Sequence, residues 1–307
     1  MDIESLFRNQ LAAWPLARDN YAALASVKCK DFGLRGQHYR VQFNPGRIRS
    51  ASAKIDRASL SQRPCFLCRH NRPVEQTATP VLGRYELLVN PYPIFPRHVT
   101  IVGLEHAPQR IAGRVPDMLD LARLLPGFTV FYNGPLCGAS APDHMHFQAG
   151  ASGYMPIETD YRRLMARLTR TWQDVQISLL DDNPRNTVVL EGTDPTRVAE
   201  CLDRLLSHLP IPPGDDEPRI NLLARSDEGL YSVFVFARTR HRPSCYSADD
   251  AHRIMVSPAS VELGGLFVVP TERDFLRIDE QRIEEILREV CAPQALWNDI
   301  LHYIFGE

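Results

Sequence analysis

His144-Met145-His146-Phe147-Gln148, which follows the turn-forming pair Asn133-Gly134 and runs on to Gly150, is the segment that decides how this chain of 307 residues is read. Drawn out as a strand, it places His144, His146 and Gln148 on one face and Met145 and Phe147 on the other. The apolar pair is expected to pack into a core while the three polar groups line a site. An imidazole with an ordinary pKa of about 6.5 is largely neutral at pH 7, so His146 can attack phosphorus as a nucleophile. The neutral amide of Gln148 can hydrogen-bond phosphoryl oxygens without acting as an acid. The alternative is a polar sheet face on which His and Gln are decoration. The residues upstream weigh against decoration: Gly134, Gly138 and Ala139-Ser140-Ala141 form a loop of small residues that lets backbone N–H groups approach an anion, and Ser140 can donate to a phosphate. Asp143 either orients an imidazole or caps a turn.

Working outward, Tyr85–Val89 and His98–Val102 have the β-branched and aromatic content of strands, joined by the proline-rich connection Asn90–Pro96, which cannot be helical. A helix is expected over 112–125 and a strand over 128–132. Near the N-terminus, Ile3, Leu6, Phe7 and Leu11 mark an amphipathic helix, and the chain as far as Arg40 carries no nameable chemistry. Beyond Gly150, helices are expected over 158–172 and 195–209, and the acidic, proline-rich stretch 212–218 reads as a linker. Segments 220–224 and 231–236 flank Asp227-Glu228-Gly229 as a hairpin. A strand near 261–269 and helices over 280–290 and 293–305 complete the chain. Strands and helices alternate without regular β-α-β spacing, which predicts an α+β fold, mainly antiparallel sheet flanked by helices.

A hydrophobic content of 44% is enough for a buried core, and the net charge of −2, with both signs mixed, supplies no global field for nucleic acid or an anionic membrane. Phosphate binding must therefore be local. No apolar run reaches the roughly 18 residues of a membrane helix, and the acidic start Met1-Asp2-Ile3-Glu4 is unlike a signal peptide, so a cytoplasmic location is expected. The seven cysteines are scattered except for Cys65 and Cys68, and read as reduced thiols. The Cys-x-x-Cys pair is half of a metal site, a redox couple or a buried pair of small side chains. With His106 and His144 it makes a donor set for a closed structural zinc, His98 competing with His106. Arg47, Arg49, Lys54 and Arg57 precede the pair, and Arg238, Arg240 and Arg242 follow the later hairpin; Lys54 and Arg238 are favoured for phosphate contact. Glu262 with Gly264 and Gly265 is a strand bulge near the ligand or a tight structural turn.

The pattern His144-x-His146-x-Gln148, preceded by Asn133-Gly134 and Gly138-Ala139-Ser140, resembles the transferase branch of the histidine-triad (HIT) superfamily. That branch holds galactose-1-phosphate uridylyltransferases, diadenosine tetraphosphate phosphorylases and GDP-hexose phosphorylases of the GDP-L-galactose phosphorylase type. His144–Ala149 is most similar to the last group, whereas Cys65-Phe66-Leu67-Cys68 and Leu104-Glu105-His106 resemble the zinc arrangement of the uridylyltransferases. The likeness runs from Arg47 to Gly150 and, more loosely, from Ile220 to Phe275. It implies two HIT-like halves: residues 1–150 carrying the catalytic pattern and residues 151–307 completing the substrate site. Residue by residue it implies His146 as nucleophile beside His144, and Gln148 holding the nucleotidyl phosphate. Asn133, Gly138 and Ser140, with Lys54, Arg57 and Arg238, are then expected around the substrate. Zinc falls on Cys65, Cys68, His106 and His144. One departure is a slightly longer loop, because Pro142 and Asp143 both stand between Ser140 and His144. The implied activity is phosphorolysis of an NDP-sugar, GDP-hexose-like, with inorganic phosphate as acceptor and a homodimer as the assembly. The alternatives are a dinucleoside tetraphosphate phosphorylase, a sugar-1-phosphate nucleotidylyltransferase, or, in another class, a non-catalytic nucleotide-binding or zinc-stabilised interaction protein.

Overall fold

The chain enters through helices α1 (Ile3–Ala13) and α2 (Pro15–Leu24) and a hairpin of β1 (Lys28–Leu34) and β2 (Gln37–Phe43). The structure, a computed structural model, describes residues 2–48, 57–164 and 166–305, so Arg49 and Lys54 lie outside it. Asp2 accepts the Ser5 N–H at 2.9 Å and starts α1 as an N-cap. The amphipathic helix expected there is present; the second helix and the hairpin escaped the sequence reading. Their role is bracing. Asn20 donates to the carbonyl of Pro91 (2.7 Å) and the Tyr21 hydroxyl to that of His98 (2.9 Å), so α2 buttresses the proline connection and the start of β5.

Beyond the short helix α3 (Arg57–Gln62), ten strands form one sheet: β3 (Ala78–Val81), β4 (Tyr85–Val89), β5 (His98–Gly103), β6 (Phe128–Asn133), β7 (His146–Ala151), β8 (Ala166–Trp172), β9 (Val175–Leu180), β10 (Val188–Gly192), β11 (Ile220–Asp227) and β12 (Leu230–Ala237). Their order is β3-β4-β5-β7-β6-β11-β12-β10-β9-β8, antiparallel throughout. Raising each label in the first five by five and reversing the order reproduces the last five. The halves join where β6 pairs with β11, Phe131 opposite Leu223, so the sheet is continuous from one half into the other.

Side-chain alternation sends Val130, Phe147, Leu222 and Val233 to one face. They pack there against α4 (Val115–Leu124), then α6 (Pro195–Ser207), which Asp194 caps, and α10 (Gln294–Phe305). Phe131, Leu223 and Phe234 point the other way, into a second core with Tyr39, Val41 and Phe267. That core is roofed by β13 (Leu266–Val269), which pairs in parallel with β2, and by α9 (Glu280–Val290). Helices α5 (Ile157–Asp160), α7 (Ser260–Leu263) and α8 (Glu272–Arg277) fill the connections. Arg185, fully buried, ties the layers together by donating to Gln37 Oε1 (2.6 Å) and to the Leu263 carbonyl (3.0 Å). Among the described residues no helix is long and apolar enough to cross a membrane.

Three expectations are corrected. The helix over 158–172 is instead the single turn α5 followed by strand β8, because Gln173 and Asp174, both at positive φ (46° and 67°), close a tight hairpin between Trp172 and Val175. The strand over 261–269 is helix α7, then Gly264-Gly265, then β13; Gly265 at φ +100° makes the bend. The stretch 212–218 is not a linker between units but a loop inside the second half, anchored where buried Glu217 accepts the Ile111 N–H at 2.8 Å and the Tyr132 hydroxyl.

In β7, Gly150 faces the Phe95 ring so closely that a Cβ would lie 2.3 Å from it. Gly150→Ala is therefore expected to destabilise the fold by about 1–3 kcal/mol through overpacking, read as a lowered midpoint of thermal unfolding; an unchanged midpoint would refute this packing.

Candidate active site

Strand β7 carries His146 and Gln148 on the face opposite α4, where they open into a cavity of about 650 Å³. Asn133, Gly138 and Ser140 share its wall, together with Arg47, Arg63 and Glu262. Gly138 sits at φ +98°, and a Cβ there would meet that of Ala259 at 2.5 Å, so the small-residue loop lies directly against the start of α7.

His146 is buried, and its Nδ1 lies 2.8 Å from the carbonyl oxygen of His144. Since a carbonyl only accepts, Nδ1 carries the proton and Nε2 the lone pair. Burial pushes the imidazole down to about 4, so it is neutral. Gln109, also buried, clamps the strand: its Oε1 accepts the His146 N–H at 2.8 Å, and its Nε2 donates to the carbonyls of Asn133 and His146, each at 3.0 Å. Lone Gln residues in loops give no sequence signal for such a part, and the reading missed it.

Gln148 Oε1 lies 3.0 Å from Nε2 of His98 and 3.4 Å from Nδ2 of Asn90. His98, weighed from sequence as a metal ligand, is instead a neighbour of Gln148. Asn133 Oδ1 accepts from Asn221 (2.8 Å) and from the N–H (2.9 Å) and hydroxyl (2.7 Å) of Ser260, which turns its amide nitrogen away from them at the cavity wall. Asp143 orients no imidazole; it accepts from Arg63 Nη2 at 2.7 Å.

Next to this wall, donor atoms of Cys65, Cys68, His106 and His144 all lie within 4.8 Å of one another and can hold a metal ion. A tetrahedral ion at thiolate and imidazole distances of about 2.3 and 2.0 Å needs donor separations of roughly 3.3–3.8 Å. The Sγ···Nδ1 distances are 3.4 Å (Cys65–His144), 3.2 Å (Cys68–His106) and 3.6 Å (Cys68–His144). His144 Nε2 lies 2.8 Å from the Gly103 carbonyl, which fixes the tautomer that leaves Nδ1 for the ion.

The expected cations fare differently. Arg238 is buried and does not reach the cavity: its guanidinium donates to Asn221 Oδ1 (2.6 Å) and to the carbonyls of Pro258, Arg240, His241 and Val290. The backbone of Arg57 is in α3, its side chain outside the described residues. Arg63, passed over in the sequence because it reads as one more basic loop residue, is at the wall instead.

Residues 159–307 match the family model described as the GDPGP1-like C-terminal domain, and residues 6–151 match a domain of unknown function, DUF4922. No curated protein matches the sequence. Among solved structures, yeast Ap4A phosphorylase Apa2 in complex with Ap4A is similar over 91% of this chain and 97% of its own, at 18% identity and a TM-score of 0.59. The same yeast enzyme with AMP gives 93%, 97%, 18% and 0.59. An ADP-glucose phosphorylase from Arabidopsis thaliana is similar over 85% of this chain and 99% of its own, at 10% identity and a TM-score of 0.39. Both halves of the chain thus share a HIT-like fold with the yeast enzyme, as the sequence resemblance implies.

Glu262 is neither in a strand nor in a bulge: it lies in α7, and its carboxylate accepts the Ala259 N–H at 2.9 Å. Burial pushes its carboxyl up to about 7, against the pull of that N–H and of Arg47. An acid with a folded pKa above its unfolded value near 4.5 adds stability at low pH that is lost as pH rises from about 4.5 through 7. Glu262→Gln, which keeps the accepting oxygen, is expected to match the wild type in thermal unfolding at pH 4 and to exceed it by several degrees at pH 8. A constant difference across that range would show that Glu262 stays ionised.

Proposed function

We propose that this protein is a nucleotidyl-transferring enzyme that works through a nucleotidyl group carried on Nε2 of His146, and that it is a phosphorylase of NDP-sugars. The observation that carries the reading is the commitment of His146 Nδ1 to the His144 carbonyl, which leaves a lone pair on Nε2 in a cavity whose wall includes the side-chain amides of Gln148, Asn133 and Asn90. In the first step Nε2 attacks the α-phosphorus, the bond from that phosphorus to the bridging oxygen breaks, and sugar 1-phosphate leaves. In the second an oxygen of inorganic phosphate attacks the same phosphorus, the P–N bond breaks, and the products are NDP and free His146. Gln148 donates to the phosphoryl oxygens in both steps and can neither give up nor take a proton, so an acceptor that arrives already anionic, such as phosphate, suits the site better than water.

A second reading, phosphorolysis of a dinucleoside tetraphosphate, is favoured by the fold shared with the yeast Ap4A phosphorylase over more than nine-tenths of both chains. One experiment separates them. The protein is incubated without phosphate with α-32P-labelled GDP-glucose, ADP-glucose, UDP-glucose or diadenosine tetraphosphate, and acid-labile, base-stable label is sought. Wild type is expected to take label and His146→Ala none, with added phosphate discharging the label as nucleoside diphosphate from the preferred donor. Nucleotide binding without label on any of the four would overturn the reading.

Cys65, Cys68, His106 and His144 are assigned to a structural zinc, which when bound would cross-link the Cys65–Cys68 loop to the end of β5 and the start of β7. All four positions are filled by protein, so the ion takes no part in bond making. Purified protein is expected to hold about one zinc per chain, and Cys68→Ser or chelation to lower the unfolding midpoint by at least several degrees. Metal analysis with calorimetry checks this, and a metal-free protein of undiminished stability would refute it.

A further inference from the structure

Gln148 is useful to a phosphoryl group only if its N–H2 end faces the cavity, because its carbonyl end would repel phosphoryl oxygens. Nothing in a glutamine side chain decides between those ends; the surroundings must. Here Oε1 lies 3.0 Å from Nε2 of His98, and the direction of that bond follows from the far side of the ring. The backbone N–H of Ile94 donates to His98 Nδ1 at 3.3 Å, so Nδ1 holds the lone pair and Nε2 the proton. Nε2–H therefore donates to Gln148 Oε1, and Asn90 Nδ2, which also donates to Thr100 Oγ1 at 3.2 Å, stands 3.4 Å from the same oxygen.

We infer that His98 is a positioning residue that locks Gln148 with its amide N–H2 toward the reacting phosphorus, and so makes position 148 a pure donor. The lock rests on the phosphorylase reading for its purpose but not for its existence. Its rigidity has visible causes. The ring is fully buried, edge-on to Phe95 (5.4 Å between centroids) and tilted against Phe131 (5.9 Å). The His98 carbonyl accepts the Asn90 N–H and the Tyr21 hydroxyl, each at 2.9 Å. Burial and the Arg47 charge hold the imidazole neutral, down to about 3, so a second ring proton never competes for the Ile94 amide. Proline punctuation serves the same end, because the rigid connection 90–96 presents both Asn90 and Ile94 to the strand that it leads into.

The test compares His98→Leu, which fills the space without a donor, with His98→Gln, whose amide can still donate near the position of Nε2. For single-turnover labelling of His146, His98→Leu is expected to be slower by about 10- to 100-fold at saturating substrate, with the nucleotide dissociation constant within a few-fold of wild type. His98→Gln is expected to recover most of that loss. In a Gln148→Ala background, His98→Leu should add less than about two-fold, since no amide remains to orient. Full activity of His98→Leu, or an effect that multiplies undiminished onto Gln148→Ala, would overturn the lock. A readout independent of turnover is the 15N signature of the His98 ring, expected to be that of the Nε2–H tautomer from roughly pH 5.5 to 8.5 and to shift in Gln148→Ala. An Nδ1–H tautomer overturns the inference whatever the activity. If wild type takes no label while the Nε2–H tautomer is present, the lock stands and the phosphorylase reading fails.

Discussion

A neutral imidazole owns one N–H, and in His146 it is spent on the carbonyl of His144 at 2.8 Å. That single bond decides which nitrogen can attack and in which direction, and much of the surrounding structure keeps its acceptor in place. The side chain of His144 is held at Nε2 by the Gly103 carbonyl and at Nδ1 among the Cys65, Cys68 and His106 donors. Gln109 replaces the ladder bonds that β6 and β7 lack beyond Phe131–Gln148, pinning the main chain of His146 from both sides. Reactions that depend on near-attack geometry lose orders of magnitude for displacements of about 1 Å. The proposed nucleophile therefore sits at the start of a strand, its main chain held by Gln109, rather than in a loop.

Among the described residues, the cavity wall presents several fixed dipoles beside its charged groups. Gln148, Asn133 and Asn90 are neutral, and His98 and His146 are kept neutral by burial. Arg47 and Arg63 share the wall but are tethered, the first to the Tyr92 carbonyl at 2.7 Å and the second to Asp143. Fixed dipoles in a low-dielectric pocket stabilise charge as it moves from one phosphoryl oxygen to another without needing to reorganise. With a net charge of only −2 on the whole chain, the proposed phosphate contact would depend on such a local arrangement.

The strand carrying the histidines, the turn ahead of it, the later hairpin and the two C-terminal helices were all legible, because period-two alternation, Asn133-Gly134, Asp227-Glu228-Gly229 and the amphipathic repeat from Glu280 are local signals. The four metal-type donors can be gathered from spacing and family likeness alone. What was not legible depends on contacts between segments far apart in the chain. Strand β8 was read as helix because its Arg and Leu residues suit either state, and its pairing with β9 decides. Arg238 is favoured as a phosphate ligand by its basic sequence neighbours, whereas three of its five acceptors come from the distant residues 221, 258 and 290. Gln109 acts on His146 from a loop and His98 on Gln148 across the β5–β7 pair, contacts that no single-segment pattern encodes.

Why the chemistry occurs once in a sheet whose order is repeated can be read from the central pair. Phe131 and Leu223 face each other where the halves meet, and each has a second neighbour on the strand beyond it. For Phe131 that neighbour is Gln148; for Leu223 it is Phe234. The corresponding step two residues earlier gives His146 in one half and Ser232 in the other. Phe234 and Phe236 lie in the core under β2 and β13, so the space that is a cavity in the first half is filled with aromatic side chains in the second. The second half keeps the strand order without the His-x-Gln pair, and it contributes Ser257, Ala259, Val261, Glu262 and Val268 to the cavity lining. Each half thus depends on the other: the first brings the proposed nucleophile, His146, to the cavity, and the second completes the cavity wall.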